Sequence, residues 1–453
     1  MKQWTVTSMR LPDCSTLSDK LNRQLRLSSS VPEAAEYRGP ILDVGPTLIR
    51  AHLSGVALGE LCQIESSNML AEVVAIEQET ALLSPFAASV GLRSGQWVRP
   101  LRHTHRVRTG SDLLGRIVDG LGAPIDGGPP LSGHWRELDS LPPDPLTRQP
   151  IQRILTTGIR ALDGILSCGE GQRVGIFAAA GVGKSTLLSM LCEGSNADVM
   201  VLALIGERGR EVQEFLDQVL TPQARARTVV VVATSDRPAL ERLKGLYTAT
   251  TIAEYFRECG LKVLLMADSL TRYARAAREI GLAAGELPAA GSFPPSVFAA
   301  LPRLLERAGN SDRGSITAFY TVLVEGDNMN EPVADEVRSL LDGHIVLSRK
   351  LAGAGHYPAI DIAASVSRIM PQIVTDEHLA LAQKLRRIQA CYQEIELLVR
   401  VGEYQAGHDS QADEALQRYP AICAFLQQET RLSCDHDAIN LSSTLAKLAQ
   451  VLS

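Results

Sequence analysis

Several things are scarce in this sequence, and each shortage removes a class of function. Aromatic residues make up only 4% of the 453 residues, which leaves few platforms on which unpaired bases could stack. There is no basic excess: the formal net charge is -6, which disfavours a protein that holds nucleic acid by neutralising its phosphates. The eight cysteines are scattered from Cys14 to Cys434 with no C-x-x-C pair and no Cys/His cluster at zinc spacing, so they read as reduced thiols of a cytosolic protein. Residues Met1 to Arg10 contain no apolar core of signal-peptide kind. The longest apolar runs, Met200-Val-Leu-Ala-Leu-Ile205 and Val229-Val-Val-Val-Ala233, are strand-length. A membrane-spanning helix needs roughly 18 such residues. A soluble, cytoplasmic protein is the expectation.

What is present is a chain long enough for more than one domain, with 45% hydrophobic and 21% charged residues, ordinary for a globular fold. Residues 1–38 are polar and Ser-rich, with a weak helical stripe at Leu17, Leu21 and Leu25. Over 39–100, short alternating runs split by Gly, Pro and Ser predict a small closed β-barrel. Residues 101–150 are a Gly- and Pro-rich connector into a domain that runs to 372. There, strand-like runs at 173–177, 199–205, 228–233, 262–267 and 316–324 alternate with helical stretches, which predicts a mostly parallel sheet with helices on both faces. Over 373–453 the β signal stops. The stripes Leu381, Leu385, Ile388, Tyr392, Ile395, Val399 and Leu441, Leu445, Leu448, Leu452 predict a helical domain.

The chemistry centres on Ala178-Ala-Ala-Gly181-Val182-Gly183-Lys184-Ser185-Thr186, which follows a predicted strand and opens a helix. Gly181 and Gly183 let the backbone turn its N–H groups onto phosphates, and the helix N-terminus adds a favourable dipole. Lys184 supplies a charge, and the Ser185 hydroxyl can ligate Mg2+. Ala178 stands where the strict pattern has glycine. Hydrolysis also needs carboxylates. Leu264-Leu-Met-Ala-Asp268 is a buried strand ending in an acid suited to the metal side, and Glu207 follows the strand at 199–205. The C-terminal strand edge of an open α/β sheet is where ligands bind, so Glu207 can polarise an attacking water. A solvated charged turn is the alternative for Glu207, as it is for many strand-end acids.

From Gly39 onward the chain resembles the catalytic subunits of rotary ATP synthases. It is more similar still to their homohexameric relatives, the ATPases of bacterial type III protein secretion and flagellar export. The resemblance rests on Pro358-Ala-Ile-Asp361-Ile-Ala-Ala-Ser365-Val-Ser367 and on Leu114-Gly115-Arg116-Ile-Val-Asp-Gly-Leu-Gly-Ala-Pro124-Ile-Asp126. Asp342-Gly343-His344-Ile345, Leu323-Val-Glu325-Gly-Asp327 and Phe293-Pro294-Pro295-Ser296-Val-Phe298 look like the export branch, with Asn328 where the family has a second Asp. The resemblance implies a RecA-like nucleotide-binding domain and an active enzyme that uses ATP and Mg2+. It implies that Lys184 and Ser185 meet phosphate and Mg2+, that Asp268 is the metal-side acid and that Glu207 is the catalytic acid. It further implies that Arg208 pairs with acidic groups near the γ-phosphate, that Tyr357 stacks on adenine, and that Arg368 reaches a neighbouring subunit's site. Gly402-Glu-Tyr404-Gln-Ala-Gly407-His-Asp409 matches the family's C-terminal motif or is simply an interhelical loop. His103 and His105 resemble no site and read as surface histidines; Arg225 and Arg227 read as isolated charges in a polar turn.

The function implied is an ATP hydrolase of type III secretion, coupling turnover in a homohexamer to chaperone release, unfolding and export. The implied partners are stator and central-stalk proteins, secreted effectors and their chaperones. The implied place is the cytoplasmic face of the bacterial inner membrane, in peripheral contact with the export gate. Phe177-Ala-Ala-Ala-Gly-Val-Gly183 looks more like the injectisome than the flagellar branch. A hexameric nucleic-acid translocase is the more distant alternative, and it would want a basic, aromatic-rich barrel; residues 39–100 hold only Phe86 and Trp97 as aromatics.

Overall fold

The computed structural model describes residues 37–218, 220–429 and 440–453. The Leu17, Leu21, Leu25 stripe, Cys14 and Cys434 lie outside the described residues. Six short strands close a barrel: Gly39–Val44 (β1), Ile49–His52 (β2), Glu60–Ile64 (β3), Met69–Glu77 (β4), Thr80–Pro85 (β5) and Trp97–Thr104 (β6). Their order is β1-β2-β5-β4-β3-β6. Closure pairs the backbone groups that open edges would expose. Ile49, Ala51, Ile64, Val73, Leu83 and Val98 fill the interior. The sequence pattern does not pick out β3 or β6, whose polar residues interrupt the alternation.

Beyond the barrel, Arg106–Thr109 (β7) pairs with His134–Glu137 (β9). Between them Ile117–Asp119 (β8) joins the large sheet beside Thr228–Ala233 (β14), so the Gly/Pro-rich connector supplies an edge strand. Ile154–Leu155 (β10) and Cys168–Gly169 (β11) form a two-stranded clasp. The other strands of the large sheet are Arg173–Ala178 (β12), Val199–Ile205 (β13), Lys262–Asp268 (β15), Ser315–Leu323 (β17), Gly343–Leu347 (β18) and Ile360–Ser367 (β19). They run β19-β18-β12-β17-β15-β13-β14-β8, with Gly309–Asn310 (β16) appended to β17. All neighbours from β18 to β8 pair in parallel, and β19 is antiparallel to β18.

The central strands are buried on both faces, which is why they read as continuous apolar runs. Met200, Leu202, Leu204 and Met266 face the helix Lys184–Gly194 (α1) through Leu187, Leu188 and Leu191. Val199, Val201, Val231 and Leu265 point the other way, onto Ala249, Ile252 and Phe256 of Ala239–Glu258 (α3). Between these helices in sequence lies Gly209–Gln218 (α2), and Leu270–Ala283 (α4) follows β15. The C-terminal helices Asp376–Arg400 (α5), Ser410–Leu426 (α6) and Leu441–Leu452 (α7) are capped by the side chains of Thr375, Asp409 and Asn440. Leu385, Ile388, Ile422 and Leu448 pack into the same core as Leu162 and Ile165, so the helical part is fused to the nucleotide domain rather than hinged beside it. No helix among the described residues is long and apolar enough to cross a membrane.

The barrel is seated on the central domain by Leu61 and Phe86 against Leu240, Ala276 and Ile280. A buried ion pair, Lys244 Nζ to Glu72 Oε2 at 2.8 Å, crosses the same junction. His105, expected at the surface, is instead 8% exposed there. It packs on the Phe86 ring, its Nε2 is 3.1 Å from the Leu121 carbonyl, and burial pushes its pKa down to about 4. Phe86 and Leu121 come from separate segments, which local sequence does not reveal. Arg227 is likewise no isolated charge. It donates to the carbonyls of Cys192, Ser195 and Ala197, where the end of α1 leaves acceptors without helix partners.

Candidate active site

Strand β12 ends at Ala178 and α1 begins at Lys184, and the five residues between make the turn. Gly181 (φ 78°) and Gly183 (φ 93°) are both in the left-handed region that glycine tolerates without strain. Gly183 is the N-cap of α1 and has no side chain to satisfy the first backbone N–H groups, which are therefore available to an anion. A Cβ on Gly183 would lie 3.0 Å from Cε1 of Tyr357, so that ring sits directly against the loop. Gln428 N–H donates to the Tyr357 carbonyl at 2.8 Å, which fixes the ring's segment from the C-terminal side. Val182 is buried in the core, Thr186 is half-buried and Ser185 is exposed.

The strand order brings β12, β17, β15 and β13 side by side, so the residues at their C-terminal ends converge. Lys184 Nζ lies 2.5 Å from Asp268 Oδ1 and 3.4 Å from Glu207 Oε1. Burial works against the lysine charge, but Asp268 and Glu207 outweigh it and hold its pKa above the usual value. A charged lysine between two carboxylates is a compact, mostly buried cluster, with the three side chains 13%, 5% and 10% exposed. Thr321 Oγ1 donates to Asp268 Oδ1 at 2.8 Å.

Arg272, rather than the Arg208 that the family resemblance implies, is the arginine that meets Glu207. Arg208, adjacent to Glu207 in sequence, turns outward with 77% exposure and pairs with Glu211 at 3.3 Å. Arg272, in the first turn of α4, donates from Nε and Nη2 to the two oxygens of Glu207 at 3.2 and 3.4 Å. Gly206 permits this approach, since a Cβ there would meet Arg272 Cδ at 2.6 Å. Nothing in Ser269-Leu-Thr-Arg272 marks that arginine out from an ordinary surface residue of a helix. Arg368 is not part of the cluster; it is exposed just past β19, with Nη2 3.4 Å from the Arg338 carbonyl.

Among the described residues no group of three or more His, Cys, Asp or Glu side chains could hold a metal ion by itself. Ser185 and Asp268 are hard oxygen donors, the kind Mg2+ takes when it arrives with phosphates and keeps several waters. The residues fit a metal carried by nucleotide, not a resident one.

Comparison with known proteins gives the same outline. The nucleotide-binding domain of the ATP synthase alpha/beta family matches residues 158–367, and the T3SS EscN ATPase C-terminal domain matches 374–450. The SPI-2 type 3 secretion system ATPase of Salmonella typhimurium is 57% identical over 436 residues, spanning 96% of this chain and 100% of that protein. The flagellum-specific ATP synthase of Bacillus subtilis is 45% identical, over 94% of this chain and 95% of its own length. The structure of the assembled ATPase EscN from the enteropathogenic E. coli type III secretion system superposes with a TM-score of 0.88 at 52% identity, covering 92% of this chain and 100% of that one. EscN in complex with its central stalk EscO gives 0.85 at 50% identity, with the same coverage.

Proposed function

This chain belongs to the ATP synthase alpha/beta family, as an ATPase of type III protein secretion, and from that premise we propose how its residues carry out hydrolysis. The backbone of residues 181–186 cradles the β- and γ-phosphates at the N-terminus of α1, and Lys184 neutralises them. Ser185 and Asp268 would hold Mg2+, which would offset phosphate charge and orient the nucleotide. Tyr357 packs on the adenine. Glu207 accepts a hydrogen bond from the attacking water and aims it at the γ-phosphorus, while Arg272 holds that carboxylate still. Arg368 serves the site of the neighbouring subunit, where an arginine spreads transition-state charge and contributes about 10³–10⁵ in rate.

The observation that carries the reading is the contact of Lys184 with both Asp268 and Glu207, directly behind two left-handed glycines. The exposure of Arg368 supports a role across a subunit boundary. The decisive experiment is phosphate release by the Lys184→Ala protein, with and without Mg2+. Turnover at the wild-type level, or undiminished turnover after chelation, would overturn the assignment.

At the level of the machine, we propose a homohexamer with a central-stalk partner, a reading supported by the assembled EscN and its complex with EscO. Stator proteins, chaperone-bound effectors and the export gate at the cytoplasmic face of the inner membrane complete the proposal. Identity of 57% to a type 3 secretion system ATPase against 45% to a flagellum-specific ATP synthase favours the injectisome assignment.

A further inference from the structure

Asp268 has a second partner on the neighbouring strand. Parallel pairing sets Ala267 of β15 opposite Tyr320 of β17, so Asp268 and Thr321 are the next residues along. Thr321 is 0% exposed and is surrounded along its strand by Phe319, Tyr320, Val322 and Leu323. A hydroxyl at such a place costs free energy unless it is hydrogen-bonded. Its hydrogen bond is the one to Asp268 Oδ1, at 2.8 Å, the oxygen that Lys184 also reaches. The strand end is fixed in turn by Thr271 of α4, whose hydroxyl accepts from Leu323 N–H at 2.8 Å.

The two donors on Asp268 differ in kind. Lys184 sits on a long stem at the mouth of the loop and, in the mechanism above, turns its charge to phosphate. Thr321 is held by a buried central strand and by a β-branched side chain with few rotamers. A carboxylate turns easily about its last bond, so the donor that stays decides which way it faces.

We propose that Thr321 is a positioning residue for hydrolysis: its hydroxyl pins Asp268 Oδ1 and thereby sets the carboxylate for the metal carried by the nucleotide. The proposal rests on Asp268 being the metal-side acid. Loss of an outer partner of a metal ligand typically lowers affinity or activity 10–100-fold.

The test compares Thr321→Val, which keeps the shape, with Thr321→Ser, which keeps the hydroxyl. Thr321→Ala serves as a second hydroxyl-free variant should valine not be accommodated. In assembled protein of unchanged circular dichroism, Thr321→Val should lower kcat about 10–100-fold with the KM for ATP within about twofold, and Thr321→Ser should restore most of the rate. Mn2+ binding to the ADP-loaded protein, read by electron paramagnetic resonance, should weaken about tenfold in Thr321→Val and not in Thr321→Ser. Wild-type kcat and Mn2+ affinity in both hydroxyl-free variants, or equal losses in Thr321→Ser, overturn the proposal. Asp268→Asn separates the two levels. If it retains full turnover, the underlying site reading fails; if it is inactive while Thr321→Val behaves as wild type, only the positioning role fails.

Discussion

The Arg272 guanidinium straddles the Glu207 carboxylate, with Nε 3.2 Å from Oε1 and Nη2 3.4 Å from Oε2. Lys184 approaches the same Oε1 at 3.4 Å, so the group proposed to orient water is held from two sides. Glu207→Gln keeps the shape but gives up the charge that accepts from water. Nucleotide affinity should change little, while turnover falls by about 10²–10⁴, the usual worth of a general base. Fluorescent-nucleotide titration and phosphate release measure the two quantities, and substantial turnover would remove Glu207 from the mechanism.

Gly183 has both a left-handed backbone and a ring against it, with Tyr357 Cε1 3.0 Å from where a Cβ would stand. Gly183→Ala therefore strains the loop and pushes Tyr357 away, and ATP binding should be lost in a protein that still folds. Tyr357→Ala should raise the Kd for ATP about tenfold, in line with the roughly 1–3 kcal/mol of base–aromatic stacking. Tyr357→Phe should bind normally. Isothermal titration with ATP and with another nucleoside triphosphate shows whether the loss lies in base contacts.

If Arg368 acts across a boundary, two dead proteins can make a live one. Arg368→Ala and Lys184→Ala should each be inactive alone. Mixed assemblies contain boundaries where an intact Lys184 faces an intact Arg368, so mixing should recover measurable ATP turnover. No recovery in mixtures proven to co-assemble by native mass spectrometry would confine Arg368 to its own subunit.

His105 makes stability depend on pH. Its folded pKa is depressed from 6.5 to about 4 by burial, so the unfolded chain takes up the proton first. The stability it contributes is fully present above about pH 6.5 and is lost as pH falls toward about 4. His105→Gln, which keeps an N–H donor for the Leu121 carbonyl, should flatten that limb of the melting temperature against pH. An unchanged acid limb would show that other groups dominate it.

Lys244 and Glu72 are each under a tenth exposed and pair at 2.8 Å across the barrel junction. Lys244→Met leaves a carboxylate buried without its cation, a change that costs about 3–5 kcal/mol. Earlier unfolding of the barrel, seen as increased proteolysis within 39–104, should follow. In the double variant Lys244→Met with Glu72→Leu most of that loss should be recovered.

Much of the architecture was legible because its signals are local. The strands of the central sheet are buried on both faces and so read as apolar runs; the candidate phosphate loop is contiguous; α5 and α7 carry regular stripes. Helix α6 was not legible, since Pro420 lies within it and only part of its length is buried. Strands β8, β18 and β19 were missed for a related reason. The first is three residues long in a Gly/Pro-rich stretch, and the other two lie toward an edge of the sheet, where polar residues break the run.

The sequence by itself determined that this chain binds nucleotide and bears Lys184, Glu207 and Asp268 at the ends of a loop and two strands. Loop conformation and strand burial follow from residues within a few positions of one another, and those are visible in a line of text. Only the tertiary structure decided that Arg272 rather than Arg208 meets Glu207, that Thr321 meets Asp268, and that His105 is inside. Each of those depends on which strands become neighbours and in what register, and a side chain's partner across a sheet is fixed by that pairing, not by its neighbours along the chain.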